Sequence, residues 1–104
     1  MAKAKIFAGN CNFNTTVEAL MGDDMQVHLS ISSDCPHITK MAEEMKILDP
    51  FREMSFQSGE GPKVFEVMTK GCPHPSCPVF SGILRATEVA AGLALPTDMR
   101  ITFE

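Results

Sequence analysis

The sequence contains no tryptophan and no tyrosine, and it has no apolar run long enough to cross a membrane. It also lacks an excess of positive charge, because 9 basic residues face 13 acidic ones and the formal net charge is −4 at pH 7. Nucleic-acid-binding surfaces need a basic face that displaces counterions, so this charge balance argues against a nucleic-acid partner. The sequence also has no Gly-rich phosphate loop and no Ser-His-Asp or paired-carboxylate signature.

The composition is that of one globular domain. The chain has 104 residues, of which 44% are hydrophobic and 21% are charged, so we expect a single domain over residues 1–104. The first residues carry lysines but no apolar stretch typical of a secretory signal, and we therefore expect a cytoplasmic protein. Disulfides are rare in the cytoplasm. Four cysteines there favour metal, cluster or redox chemistry.

Alternation of apolar and polar residues predicts strands at both ends of the chain. At the N-terminal end we predict strands over residues 3–8, 15–20 and 25–32, the last two joined by the turn sequence MGDD. We predict a final strand over residues 99–104, where Met99, Ile101 and Phe103 alternate with polar residues. The middle of the chain has helical periodicity instead. The predicted helices cover residues 38–48, a short segment opened by Asp49-Pro50, 62–71 and 78–93. This order predicts an α+β fold with three N-terminal antiparallel strands, helices packed on one face, and a final C-terminal strand.

The four cysteines are Cys11, Cys35, Cys72 and Cys77, and all lie next to predicted strand ends or helix starts. Such ends meet at one edge of a layered domain, so we expect the four thiols to converge there. Cys35 and Cys77 each precede a proline that opens a helix. A helix N-terminus offers unpaired N–H groups and partial positive charge, which favour the thiolate that binds metal. Asp34, His37 and His74 lie beside these cysteines and are candidate additional ligands or their hydrogen-bond partners.

Other interpretations of the cysteines remain open. They can be small buried side chains, redox-active thiols or, least in keeping with the expected compartment, disulfides. A catalytic thiol needs a neighbouring base, which His37 or His74 can supply to Cys35 or Cys77. That interpretation leaves two cysteines without a role, so the sequence favours a protein that is not an enzyme.

The layout resembles the iron–sulfur scaffold fold of IscU and the N-terminal domain of NifU. It resembles still more closely the small four-cysteine TSCPD domains, some of which form zinc modules of ribonucleotide reductases. Cys11, the string Ser33-Asp34-Cys35, Cys72 and the string Ser76-Cys77-Pro78 occupy the matching places. The resemblance implies that these cysteines hold zinc or an iron–sulfur cluster. Phe13 stands where the scaffold proteins carry an aspartate that makes the cluster labile, and this difference favours a more stably held metal.

The C-terminal stretch SCPVFSGILRATEVAAGLALP is also similar to the last helix of small proteins from anaerobes. Together these patterns predict a metal- or iron–sulfur-cluster-binding accessory protein that uses four cysteines and works with a protein partner. Two alternatives are a small partner-binding module with a structural zinc and a thiol-redox protein. A homodimer is a further expectation, because one face of the sheet is polar but nearly uncharged.

Overall fold

The computed structural model describes residues 1–57 and 59–104. The N-terminal part of the chain forms most of an antiparallel sheet. The strands are β1 Ala2–Phe7, β2 Asn14–Met21, β3 Val27–Ser33 and the short β4 Ile47–Leu48. Each strand pairs with the next one along the chain, in the order β1-β2-β3-β4. The three N-terminal strands predicted from alternation are therefore confirmed.

The sheet has one buried face and one exposed face. In β2, Val17 and Ala19 are buried, whereas Glu18 and Leu20 between them are exposed. Successive side chains of a strand point to opposite faces, so this alternation sets which residues reach the core. The buried members of the first three strands are Ala2, Thr15, Val17, Ala19, Val27 and Leu29.

The turn between β2 and β3 lies where the MGDD sequence predicts it. Gly22 N–H donates to the Gln26 carbonyl at 2.8 Å, and Met25 N–H donates to the Gly22 carbonyl at 3.2 Å. The pKa of Asp24 is lowered because its carboxylate accepts a hydrogen bond from Gln26 N–H and also pairs with His28. Met25 was expected to begin β3 on the buried face, but this was wrong. It lies in the turn with φ 63° and is 60% exposed.

Four α-helices follow the third strand: α1 Pro36–Ala42, α2 Pro50–Glu53, α3 Lys63–Gly71 and α4 Val79–Ala90. The first is shorter than its periodicity predicts, because a 3₁₀ turn at Glu43–Met45 follows it and Ile47–Leu48 then joins the sheet. The helical pattern cannot continue past Asp49, since the residue before a proline is disfavoured in helical conformation. Asp49 instead caps α2, accepting a hydrogen bond from Phe51 N–H at 3.0 Å.

The helices form a second layer over the buried face of the sheet. α4 lies across β1 and β2, and α1 lies across β3. Val27, Leu29 and Ile31 belong to the strand under α1 rather than to the strands under the last helix. Phe80 and Ile83 of α4 are almost fully buried in a single hydrophobic cluster. Within the described residues, no helix combines the length and apolar character needed to cross a bilayer.

The C-terminal segment differs from the prediction. Residues 97–104 have no secondary structure and are exposed, so the strand expected over 99–104 is not formed. Ile101 is 83% and Phe103 is 94% exposed. Alternation predicts which face a strand would bury, but a strand forms only beside a neighbour that satisfies its backbone groups. The fourth strand of this α+β fold is Ile47–Leu48 instead.

Gly82 is a point of close approach between α4 and β1. A Cβ atom built there would lie 2.7 Å from Cγ1 of Ile6, which is well inside van der Waals contact. We expect Gly82→Val to lower the free energy of unfolding by about 2 kcal/mol, because the added atoms overpack this contact. Ser81→Val, at the exposed neighbouring position, is the matched control. Urea unfolding measures both variants, and an unchanged midpoint for Gly82→Val would show that the helix can move away at no cost.

Candidate four-cysteine site

The four cysteines lie at the junctions predicted from the sequence. Cys11 is in the turn after β1, Cys35 lies between β3 and α1, Cys72 directly follows α3 and Cys77 lies shortly before α4. All four are free thiols. Cys35, Cys72 and Cys77 are half-buried against the hydrophobic core, whereas Cys11 is exposed.

The pKa of Cys77 is influenced by the other three thiols. Burial raises the pKa of the Cys77 thiol, and the negative charges that Cys72, Cys35 and Cys11 can carry raise it further. A hydrogen bond from Val79 N–H, in the first turn of α4, acts in the opposite direction and favours the Cys77 thiolate. Three separate parts of the chain therefore contribute charge to the surroundings of Cys77.

The surroundings of Cys77 are not a preassembled ligand sphere. Across residues 1–57 and 59–104, no group of three or more His, Cys, Asp and Glu side chains is arranged so that it could hold a metal ion. The tetrahedral convergence of sulfurs expected from the sequence is therefore not present in this conformation. Two of the cysteines, Cys11 and Cys77, belong to loop segments rather than to helices or strands.

Cys35 is fixed through its backbone. It is the N-cap residue of α1, and its N–H donates to the Ser33 hydroxyl at 3.1 Å. Its carbonyl accepts from both the backbone N–H of Thr39 at 3.0 Å and the Thr39 hydroxyl at 3.1 Å. Ser33 in turn shares a 2.7 Å hydrogen bond with the hydroxyl of Thr15. These positioning residues were missed in the sequence, although a serine two residues before an N-cap cysteine is a usable signal.

The loop from Cys72 to Cys77 is organised around one carbonyl group. The Cys72 thiol donates to the His74 carbonyl at 3.4 Å, and Cys77 N–H donates to the same oxygen at 3.2 Å. Cys72 is the C-cap residue of α3, and its N–H donates to the Met68 carbonyl at 2.9 Å.

Cys11 lies in a tight turn between the first two strands. Asn12 N–H donates to the Gly9 carbonyl at 2.8 Å, and Ala8 N–H donates to the Phe13 carbonyl at 3.0 Å. Asn12 has φ 59°, a left-handed conformation that asparagine tolerates better than most residues. The turn therefore presents Cys11 to solvent at the same end of the sheet as the other thiols.

The three additional candidate ligands, Asp34, His37 and His74, are less favourably placed than the cysteines to bind a metal. The Asp34 carboxylate accepts a hydrogen bond from Asn14 N–H at 3.0 Å, and Asp34 N–H donates back to the Asn14 carbonyl. This carboxylate thus already serves to join the ends of β2 and β3. His37 and His74 are exposed, and the group that His74 directs toward the cysteines is its carbonyl.

The thiols should differ in reactivity toward iodoacetamide in the metal-free protein. Only thiolates react, so exposed Cys11 should be modified first and Cys77 more slowly, because Cys77 is half-buried and its pKa lies above the ordinary 9.0. Digestion and mass spectrometry at several pH values give the rate for each cysteine. Unfolding in urea is the control, and it should move the Cys77 profile to lower pH. A Cys77 rate that is the same in folded and unfolded protein would contradict this description of its surroundings.

No curated protein and no solved structure matches the chain. The resemblance to TSCPD and IscU-like domains therefore stays a hypothesis based on the quoted residues. One family model, described as a family of unknown function (DUF6951), matches residues 2–103, and the chain therefore belongs to that family.

Proposed function

We propose that this protein is a metal- or iron–sulfur-cluster-binding accessory protein that uses Cys11, Cys35, Cys72 and Cys77 as ligands. The observation that supports the proposal is that Cys11, Cys35 and Cys72 are all close enough to Cys77 to raise the pKa of its thiol. Cys11, Cys35 and the loop that carries both Cys72 and Cys77 are distant from one another along the chain, so local sequence alone does not account for their mutual influence.

The chemistry of the donor set fits a thiophilic metal. Four thiolates suit either a closed zinc site or an iron–sulfur cluster. Without a cation, burial and mutual repulsion make the Cys77 thiolate unfavourable, which is why its pKa is raised. A bound cation offsets both effects, and its binding releases the thiol protons. The half-buried position of three of the cysteines against apolar side chains would also limit access of water to the bound group.

Binding also requires the ligand sphere to close. The backbone of Cys35 is held at the start of α1 by Ser33 and Thr39, whereas Cys11 is exposed in its turn. We therefore expect Cys35 and Cys77 to be the fixed part of the site, and the turn of Cys11 to move toward them. Such coupling of metal binding to local ordering is common in small metal-binding domains.

The proposed role is accessory, because a site that uses all four thiols as ligands leaves none as a nucleophile. The resemblance to cluster scaffolds and the Cys-Pro pairs favours an iron–sulfur cluster, whereas Phe13 and the TSCPD resemblance favour zinc. A cytoplasmic location, a role in anaerobic metabolism and a protein partner that receives or uses the metal belong to the same proposal.

Purification without oxygen, followed by metal analysis and an absorption spectrum, tests the proposal. A cluster should give brown protein whose visible absorption bleaches on reduction. Zinc should give colourless protein with a stoichiometric ion whose removal by a chelator lowers stability. Protein that holds neither metal after purification, and takes up neither when supplied with zinc or with iron and sulfide under reducing conditions, would rule out the function.

A thiol-redox role is the second candidate, and one observation favours it. Cys72 and Cys77 lie in one short loop and both hydrogen-bond to the His74 carbonyl. If these two thiols alternate between a reduced and a disulfide form, a mild oxidant should form a disulfide between them. Reduced thioredoxin or glutathione should then reduce that disulfide. Peptide mapping would locate the bridge, and a metal-free protein that forms it reversibly would favour this role over metal binding.

A further inference from the structure

β1 is an edge strand whose outer side has no partner among the described residues, since it pairs only with β2. The hydrogen bond from Ala8 N–H to the Phe13 carbonyl fixes which residues point toward β2. By the alternation of an antiparallel ladder, Lys3, Lys5 and Phe7 direct their N–H and C=O groups the other way, toward solvent. Such an edge is a template for one more strand.

The C-terminal segment, residues 97–104, is a strand-like sequence without a sheet. Met99, Ile101 and Phe103 alternate with Arg100 and two other polar residues, which is the pattern of a strand with one buried face. In this structure the segment is exposed instead. A single chain therefore presents both an unpaired edge and an unpaired strand-like segment.

We propose that residues 99–104 of one copy add as a strand to the β1 edge of a second copy, and that the second copy reciprocates. Because the exchange is symmetric, it gives a closed two-fold dimer. Both β1 edges and both C-terminal segments are then paired, so none of them is available to a third copy. The dimer is independent of the metal-binding proposal, since neither the edge nor the segment contains a cysteine.

The charged side chains on the exposed face of β1 favour one antiparallel register for the added strand. This register places Glu104 opposite Lys3 and Thr102 opposite Lys5. Opposite charges directly across two strands attract, and the threonine avoids a like-charge pair. Direct pairing of two β1 edges would place lysine side chains opposite lysine side chains. Lysines on edge strands commonly prevent self-association in this way. The lysines of β1 therefore favour pairing with the C-terminal segment over pairing with a second β1 strand.

The same register also pairs apolar residues with one another on the buried face of the sheet. Ile101 then lies opposite Ile6, and Phe103 lies opposite Ala4, because directly paired residues share a face. Ile6 and Ala4 are half-buried and pack against the hydrophobic cluster under α4. The large side chains that are exposed in the single chain would meet small or apolar partners beside that helix.

The other edge of the sheet is less suitable. The outer side of β3 is already paired with Ile47–Leu48, and Leu29 N–H donates to the Lys46 carbonyl at 2.8 Å. An incoming strand would find only the last part of β3 free, whereas β1 is free along its whole length.

The test uses the full chain and Thr102→Pro. In the proposed register Thr102 N–H bonds to β1, and proline removes that donor from a segment that makes no other structure. Thr102→Val keeps the N–H and is the matched control. Light scattering after size exclusion and sedimentation equilibrium measure association over a range of concentrations. Hydrogen exchange measures protection of the Lys5 and Phe7 amides.

We expect the wild type and Thr102→Val to dimerise and to protect these amides. Thr102→Pro should weaken the dimer on the order of ten-fold or more and expose the amides. Three results would overturn the proposal. One is a monomer with unprotected amides at every concentration. Another is a monomer whose amides are protected in a Thr102-dependent way, which means that the segment docks on its own chain. The third is a dimer that Thr102→Pro does not affect.

Discussion

Replacing Cys77 by serine should remove the bound metal or cluster from protein purified without oxygen. Cys77 is close enough to the other three thiols for their charges to raise its pKa, and the Val79 N–H group at the start of α4 favours its thiolate. A serine hydroxyl remains protonated at neutral pH and is a poor ligand for zinc or iron–sulfur clusters, so three thiolates remain. We expect the metal content per chain to fall to near zero, together with any visible absorption.

His74→Ala is the matched control for this substitution. His74 lies in the same loop, but the group that it contributes to the loop is its backbone carbonyl, which alanine retains. The alanine variant should therefore keep the metal content of the wild type. If His74→Ala loses the metal and Cys77→Ser retains it, the imidazole is the ligand and the assignment of Cys77 is wrong.

The largest effect on stability is expected at Glu53. This carboxylate is 3% exposed, and its two oxygens accept from Lys63 N–H and Val64 N–H, each at 2.8 Å. It thereby caps α3 from the end of α2, where the helix's own N-cap, Pro62, offers no side-chain hydrogen bond. Glu53→Ala leaves two N–H groups of the first turn without a partner, and Val64 is fully buried.

We expect Glu53→Ala to lower the free energy of unfolding by about 3 kcal/mol, since two charge-assisted hydrogen bonds are lost and a buried donor is left unpaired. That is a large part of the stability of a domain of this size. Urea unfolding gives the value. Glu60→Ala removes an exposed carboxylate near the same helix and should cost less than about 1 kcal/mol. Equal losses for the two variants would contradict the capping role of Glu53.

The local patterns of the sequence predicted the elements that depend on neighbouring residues. The alternation around Val17 and Leu29 identified buried strands, and Asp49-Pro50 identified a capped helix start, because these signals lie within a few residues of the structure they specify. Glu53 could not be recognised in the same way. Its partners are ten and eleven residues away, and its burial depends on how α2 meets α3.

The C-terminal segment shows a different limit. Its alternation correctly marks an amphipathic strand-like sequence, but periodicity contains no information about which edge, if any, receives it. For the candidate site, the local patterns predicted that the cysteines lie at junctions between helices, strands and turns, and they do. The ligand geometry depends on side-chain rotamers and on the turn of Cys11, which spacing along the sequence does not determine.

X-ray absorption at the zinc edge of zinc-loaded protein tests the central claim most directly, because it measures the ligand atoms themselves. Four cysteine ligands predict a first shell that contains only sulfur, four atoms at about 2.3 Å. A shell in which nitrogen or oxygen atoms at about 2.0 Å replace two or more of the sulfurs would contradict a four-cysteine site.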